Sequence, residues 1–132
     1  MGKACILIVE DEDAICQILR EALEPFAKVS IVHNGAEGLE QARMLQPDLI
    51  LLDLTMPGLD GLDVLKKLKS HPTTRTIPVV IVSARGESQA LFEGQAMGAV
   101  DHVIKPFDLQ VLRKVVERQL AMRGAIHRQG DA

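Results

Sequence analysis

Near the middle of the 132-residue chain lies the segment Asp48-Leu49-Ile50-Leu51-Leu52-Asp53-Leu54-Thr55-Met56-Pro57, which is the most informative about the fold. Four consecutive aliphatic residues precede an isolated acid, Asp53, and a Pro-Gly pair follows shortly after. An apolar run without alternation is typical of a strand covered on both faces, as in a parallel sheet beneath helices. Ligands of open α/β sheets bind at the carboxyl ends of the strands. The sequence therefore predicts that Asp53 lies at a ligand-binding edge.

The segments on either side of this stretch alternate between strand and helix patterns. Apolar or β-branched runs predict four further strands, at residues 4–9, 28–33, 77–82 and 100–104. Five helices are predicted between and after the strands, with ends marked by Pro25, the Asn34–Glu37 capping pair, His71-Pro72, Gly98 and the cap Asp108. This alternation predicts a single α/β domain, a doubly wound parallel sheet with right-handed crossovers and helices on both faces.

Composition excludes several classes of function. The chain has 47% hydrophobic and 25% charged residues, a net charge of −3, and three Phe but no Tyr or Trp. An acidic chain without aromatic stacking platforms is poorly suited to direct nucleic-acid binding. No apolar segment is long enough to span a membrane, and no signal peptide is visible. Cys5 and Cys16 belong to no metal or redox motif, and indicate buried thiols in a reducing cytoplasm.

Polar residues follow each predicted strand, and the carboxyl ends of parallel strands meet at one edge of a sheet. These residues are Glu10-Asp11, His33, Asp53, Ser83 and Lys105. Taken one at a time, each also fits a structural role, such as a charge at a helix N-terminus or a turn cap. Their convergence on one edge favours a functional site.

The chemistry of this set points to phosphoryl transfer. Three neighbouring carboxylates repel one another unless a cation lies between them. Mg²⁺ fits because it prefers oxygen ligands and combines a few carboxylates with phosphate oxygens. A carboxylate can act as a nucleophile towards phosphorus, and the ammonium group of a lysine neutralises phosphoryl charge. The glycine-rich phosphate-binding motifs Gly-x-x-x-x-Gly-Lys and Gly-x-Gly-x-x-Gly are absent from the sequence.

Four segments, in order, resemble the receiver domain of two-component response regulators, including chemotaxis-type receivers that consist of this domain alone. They are residues 6–12, 51–61, 82–84 and 98–107. The resemblance extends over about residues 3–119. We accordingly expect a receiver domain at residues 3–121 and a polar C-terminal tail or linker stub at residues 122–132.

The resemblance implies a flavodoxin-like (βα)5 fold with strand order 2-1-3-4-5. It also implies that Asp53 accepts a phosphoryl group from the phosphohistidine of a sensor histidine kinase or phosphotransfer protein. Such a receiver is a cytoplasmic signalling module that catalyses only its own phosphorylation and dephosphorylation. The implied Mg²⁺ ligands are Glu10, Asp11, Asp53 and the backbone carbonyl of Thr55.

The resemblance also assigns the switch. Lys105 is implied to contact the phosphoryl group and to form a cis bond with Pro106, while Ser83 moves towards the phosphoryl oxygen. The second switch position, usually Tyr or Phe in the family, is His102 here. We expect His102 either to swing into the space left by Ser83, which makes switching sensitive to pH, or to be an exposed strand residue without that role.

Two further positions tune dephosphorylation in the family, and they lie two residues after Asp53 and Ser83. They are Thr55 and Arg85 in this chain. A long Arg side chain can screen the attacking water or pair with the phosphate. We therefore expect slow loss of the phosphoryl group.

The family's output surface is formed by the fourth helix, the fifth strand and the fifth helix, which also offer a possible homodimer contact. We assign to it Leu91, Gln95, Val103, Arg113 and Lys114. Gly94 is expected to soften the fourth helix. The output partner is either a separate protein or an output domain that this sequence lacks.

Two rival functions remain to be weighed. A pseudo-receiver would act as a docking module without phosphorylation, but the set of acids together with Ser83 and Lys105 argues against it. An Asp-nucleophile phosphatase generally carries a second acid two residues after the nucleophile. That position is Thr55 here, which argues against a phosphatase.

Overall fold

The computed structural model describes residues 3–56, 61–84, 86 and 88–124. Strands and helices alternate through these residues as β1 Ala4–Val9, α1 Asp13–Leu23, β2 Ala27–Val32, α2 Gly35–Leu45, β3 Leu49–Asp53, α3 Gly61–Ser70, β4 Val79–Ala84, α4 Ser88–Ala96, β5 Asp101–Lys105 and α5 Leu109–Arg123. The strands form one parallel sheet in the order β2-β1-β3-β4-β5. The predicted fold class and strand order are confirmed.

The position of β3 at the centre of the sheet explains why its sequence is continuously apolar. Leu49 and Leu51 point into a core shared with α1 and α5, whereas Ile50 and Leu52 point into a second core shared with α2 and α3. All four side chains are at most 1% exposed. Because successive side chains of a strand face opposite sides, burial on both sides requires an apolar residue at every position. β3 is therefore held firmly up to Asp53.

Helix caps begin two of the helices where the sequence predicted them. The Asn34 side chain accepts a hydrogen bond from the backbone N–H of Glu37 at 2.9 Å, and its amide donates to the Glu37 carboxylate at 2.6 Å. The Asp108 carboxylate accepts from the backbone N–H of Gln110 at 2.7 Å. Each cap satisfies backbone donors that lack a partner in the first turn of a helix.

The strand boundaries differ from the sequence prediction by a residue or two. β3 includes Asp53, and β4 runs from Val79 to Ala84, so Ser83 lies within a strand rather than after it. Cys5 is only partly buried, which corrects the expectation of two buried thiols, whereas Cys16 is buried. α5 continues through Arg123, into the segment predicted as a tail, and residues 125–132 lie outside the described part.

Gly94 has a packing role that was not expected from the sequence, while its softening of the fourth helix stays a prediction. It is the buried residue of α4, and a Cβ atom at this position would overlap the Cδ1 atom of Ile81 in β4. The glycine therefore lets α4 approach the sheet closely. None of the helices in the described part of the chain is both long and apolar enough to cross a membrane.

Candidate functional site

Three carboxyl groups meet at the carboxyl edge of the sheet. Glu10 and Asp11 follow β1, and Asp53 ends the neighbouring strand β3. One oxygen from each carboxyl group lies within 4.8 Å of the others. Glu10 and Asp53 are each only 1% exposed, and Asp11 is partly exposed. The structure thus brings together the three predicted acidic ligands, in a cluster that can hold a metal ion.

Lys105 joins this cluster from β5, two strands away from Asp53. Its Nζ atom lies 3.0 Å from Asp53 Oδ2 and 3.0 Å from Glu10 Oε1. Burial lowers the pKa of Lys105, but the hydrogen bonds and charges of Glu10 and Asp53 outweigh burial and raise it above its ordinary value. The lysine is therefore a fixed positive charge in direct contact with Asp53.

Thr55 holds the other oxygen of Asp53. Its backbone N–H and its hydroxyl donate to Asp53 Oδ1 at 2.9 and 2.7 Å. Burial raises the pKa of Asp53, but these two bonds together with Lys105 outweigh it and leave that pKa below its ordinary value. Asp53 is consequently ionised at neutral pH and its carboxylate is fixed in orientation, as a nucleophile requires.

Glu10 has the opposite electrostatic balance. Burial raises its pKa to about 7, although bonds from the Glu12 N–H and from Lys105 act in the lowering direction. Its Oε1 atom is buried and has the ammonium of Lys105 as its partner at 3.0 Å. A buried carboxyl group next to two others fits the oxygen donor set that Mg²⁺ prefers.

Ser83 contributes a buried hydroxyl group to the site. It is 1% exposed, and its hydroxyl has no hydrogen-bond partner among the described residues. Its strand β4 lies between the strands of Asp53 and Lys105, and its neighbour Val82 pairs with Asp53 in register. A buried hydroxyl without a partner costs about 1–3 kcal/mol. The site therefore contains a donor that a bound oxygen can satisfy.

The backbone of Glu10 is held by two residues whose roles were not apparent from the sequence. His33 Nδ1 lies 3.1 Å from the Glu10 carbonyl oxygen, and Cys16 Sγ lies 3.4 Å from the same atom. Because a carbonyl oxygen only accepts hydrogen bonds, Nδ1 of His33 carries a proton. His33 was noted only as a strand-end residue and Cys16 only as a thiol. No spacing pattern links either residue to Glu10.

His102 lies at the edge of the sheet, between β5 and α4. Its side chain is 36% exposed, with Nδ1 at 3.4 Å from Gln95 Nε2 and 3.8 Å from Asp101 Oδ1. His102 is thus partly exposed, and both expectations for its role stay predictions. The contact with Gln95 nevertheless places the ring against α4.

Two of the residues assigned to the output surface lie elsewhere. Val103 is 3% exposed and belongs to the core with α1 and α5, because it faces the interior of the sheet. Arg113 donates from Nε to the backbone oxygen of Ala22 and so packs against α1. Gln95 and Lys114 are exposed, as expected, and Leu91 is partly exposed.

Three further predicted site positions are the Lys105–Pro106 bond, Thr55 and Arg85, and the structure describes the first two. The Lys105–Pro106 peptide bond is cis. Thr55 is exposed, and its side chain contacts Asp53 directly, a contact that the sequence did not reveal. Arg85 lies outside the described residues, as does the loop at residues 57–60.

Comparison with known proteins gives a consistent result. The family described as the response regulator receiver domain matches residues 6–117. The sporulation initiation phosphotransferase F of Bacillus subtilis is 34% identical over 119 residues, which are 89% of this chain and 94% of that protein. The regulatory protein AtoC of Escherichia coli is 40% identical over 120 residues, which are 89% of this chain but 25% of that protein.

The solved structures give the same fold. The chemotaxis protein CheY4 of Vibrio cholerae has a TM-score of 0.83 at 27% identity, covering 90% of this chain and 100% of that chain. Several curated relatives are longer: the chain spans 25%, 54% and 51% of the first three that it matches.

Proposed function

We propose that Asp53 is the phosphoacceptor of this chain, because the chain belongs to the response regulator receiver domain family. Receiver domains are signalling modules that act with histidine kinases or phosphotransfer proteins. The observation that carries the proposal is the state of Asp53. Its carboxylate ends a buried strand and contacts Lys105 at 3.0 Å, and the bonds from Thr55 and Lys105 hold its pKa below the ordinary value.

The proposed reaction is a phosphoryl transfer between two nucleophiles. A carboxylate oxygen of Asp53 attacks the phosphorus of a phosphohistidine, the P–N bond breaks, and the imidazole leaves as the new P–O bond forms. Such transfer depends mainly on positioning and charge neutralisation. Lys105 neutralises one charge on the transferred group, and Thr55 fixes the angle of the carboxylate through Oδ1.

The residues present fit a Mg²⁺ ion, which receiver domains bind at an acidic pocket. We propose that Glu10, Asp11, Asp53 and the backbone carbonyl of Thr55 hold it. When bound, Mg²⁺ supplies charge neutralisation between the carboxylates and the phosphoryl oxygens. The support comes from the three clustered carboxyl groups, two of which, on Glu10 and Asp53, are buried.

We propose that phosphorylation is read out through Ser83. Its buried hydroxyl has no partner among the described residues, so a phosphoryl oxygen on Asp53 would offer it a hydrogen bond and draw the end of β4 towards the site. His102 is the proposed second switch residue, acting through its contact with Gln95 on α4. The proposed output surface is the exposed face of α4, β5 and α5, read by a separate protein, a further domain or a second copy.

The rate of dephosphorylation is a further part of the proposal. Thr55 and Arg85 are the proposed tuning residues, and we expect Arg85 to slow the loss of the phosphoryl group. Decay of the phosphorylated protein should be faster in Arg85→Ala than in the wild type. A slower decay in the variant would refute this role.

One experiment tests the central proposal. The chain is incubated with Mg²⁺ and acetyl phosphate and examined by intact-mass spectrometry. We expect the mass of one phosphoryl group to be added, to be absent in Asp53→Asn, and to persist in the control Asp63→Asn. An unmodified wild type would favour a docking module without phosphorylation, and steady turnover of phosphoesters would favour a phosphatase.

A further inference from the structure

A groove lies on the side of the molecule opposite α1 and α5. It lies between α2 and α3, has a volume of about 670 Å³, and continues into a second cavity of about 720 Å³ near the ends of these helices. Glu40, Arg43 and His71 line both cavities. None of the described residues that line this groove is a proposed phosphorylation residue, so the groove is independent of the proposed function.

The walls of the groove carry charges of both signs. Glu40 and Arg43 come from α2, and Asp63, Lys66 and Lys67 come from α3. Within the described part of the chain, none of these five groups lies within 4.0 Å of an oppositely charged partner. A nearly balanced set is a poor match for a polyanion or a polycation, and suits a surface that carries both signs.

The order of these charges is the same in both helices. Glu40 precedes Arg43 along α2, and Asp63 precedes Lys66 and Lys67 along α3. Both helices follow strands of one parallel sheet, and so both run away from the carboxyl edge. The acids therefore lie nearer that edge and the bases nearer the opposite end.

This arrangement of acids and bases is complementary to the same arrangement in a second copy of the chain that lies antiparallel to the first. A twofold axis across the groove would place the acids of one molecule against the bases of the other, whereas a parallel arrangement would place like charges together. Closed twofold dimers require a patch that is complementary to itself in this way.

An exposed apolar side chain lies beside the groove. Met44 follows Arg43 on α2, lines the second cavity, and is 70% exposed. Ala36 and Leu39 provide apolar lining in the first cavity. Methionine adapts its shape to irregular apolar surfaces. We propose that the α2–α3 groove is a self-association surface, in which Met44 of each copy enters the groove of the other and the charges of the two copies pair.

The expected association is weak and reversible. α2 has 11 residues and is therefore about 16 Å long, so the patch is smaller than the roughly 800 Å² per partner of a stable interface. We expect dimers at protein concentrations of about 0.1–1 mM. The association should persist in Asp53→Asn, which separates this proposal from the phosphorylation proposal.

The test uses two variants of the full chain with opposite charge reversals. One carries Arg43→Glu with Lys67→Glu, and the other carries Glu40→Lys with Asp63→Lys. Sedimentation velocity across the concentration range should show association of the wild type and at least about tenfold weaker association of each variant alone. An equimolar mixture of the two should associate again, because each then supplies the charges that the other lacks.

The matched control reverses two exposed bases on α5, Lys114→Glu with Arg118→Glu. It should associate like the wild type, and thermal unfolding should confirm that every variant is folded. A wild type that remains monomeric throughout the range would overturn the proposal. So would loss of association in the α5 control alone, which would place the contact on the α5 side, or failure of the mixed variants to recover association.

Discussion

Glu10 and Asp53 are adjacent buried carboxyl groups whose pKa values move in opposite directions. For Asp53 the lowered pKa means that the folded state favours the carboxylate. It contributes stability at neutral pH that is lost as the pH falls below the ordinary value. For Glu10 the pKa of about 7 means that the folded state favours the protonated form, so stability falls as the pH rises from about 4.5 to 7.

Replacing Glu10 by Gln should remove this loss. Without Mg²⁺, we expect Glu10→Gln to be more stable than the wild type by about 1–3 kcal/mol above pH 7, with the difference vanishing near pH 4.5. Urea unfolding as a function of pH measures it, with the exposed Asp13→Asn as control. If wild type and variant followed parallel pH curves, the electrostatic account of Glu10 would be wrong.

Ser83 offers a second residue-scale prediction. Its buried hydroxyl has no partner among the described residues, so Ser83→Ala should leave the unphosphorylated protein equally stable or up to about 1 kcal/mol more stable. The same variant should lose phosphorylation-dependent changes in the NMR signals of α4. A clear loss of stability without phosphorylation would show that the hydroxyl already has a partner.

His102 tests the pH-sensitivity hypothesis. Protonation of the ring adds a charge next to Gln95 and Asp101. We expect the phosphorylation-dependent NMR changes of α4 to vary between about pH 5.5 and 8 in the wild type and to lose that variation in His102→Phe. Identical profiles for the two proteins would support the simpler role of an exposed strand residue.

At the scale of the elements, α4 depends on a residue that helix propensity disfavours. Gly→Ala within a helix ordinarily adds about 1 kcal/mol of stability. At Gly94 a methyl group would overlap Ile81 Cδ1, so we expect Gly94→Ala to destabilise the protein by about 1–3 kcal/mol.

A double-mutant cycle measures this effect, with the free energy of unfolding of each of its four proteins taken from chemical denaturation. Ile81→Val removes the Cδ1 atom, so Gly94→Ala should be much less costly in that background. Equal costs in the two backgrounds would mean that α4 shifts away from β4 instead of clashing with it.

At the scale of the whole molecule, Arg123 ties the end of α5 to the far side of the sheet. Its Nη1 atom donates to the Thr76 backbone oxygen at 2.9 Å, and its Nε atom lies 3.7 Å from Asp48 Oδ1. These contacts lie at the edge of the sheet opposite the carboxylate cluster. A folded unit that ends at residue 121 would lack them.

We therefore expect a chain ending at residue 121 to be less stable than one ending at residue 124 by about 1–2 kcal/mol. The point variant Arg123→Ala should show most of the same loss. Thermal and urea unfolding of the three proteins provides the measurement. Equal stability of the two truncations would support the boundary at residue 121 that the sequence suggested.

The fold class and the clustering of Glu10, Asp11, Asp53 and Lys105 could be predicted without coordinates. Strands buried on both faces need continuous apolar runs, and helices between them need one apolar stripe, so the alternation is visible without coordinates. Since parallel strands end at one edge, the convergence of Glu10, Asp53 and Lys105 followed from topology alone. The pattern did not fix boundaries, because it does not mark whether an acid or a serine is the last residue of a strand or the first after it.

The contacts between side chains of different elements could not be predicted from the sequence and depend on how the elements pack. Hydrogen bonds from His33 and Cys16 to the Glu10 carbonyl join residues with no common sequence pattern. The burial of Val103 and the turn of Arg113 towards α1 depend on how α5 packs against the sheet. A sequence records which residues are apolar along one element, whereas the distances between elements depend on how all of them pack together.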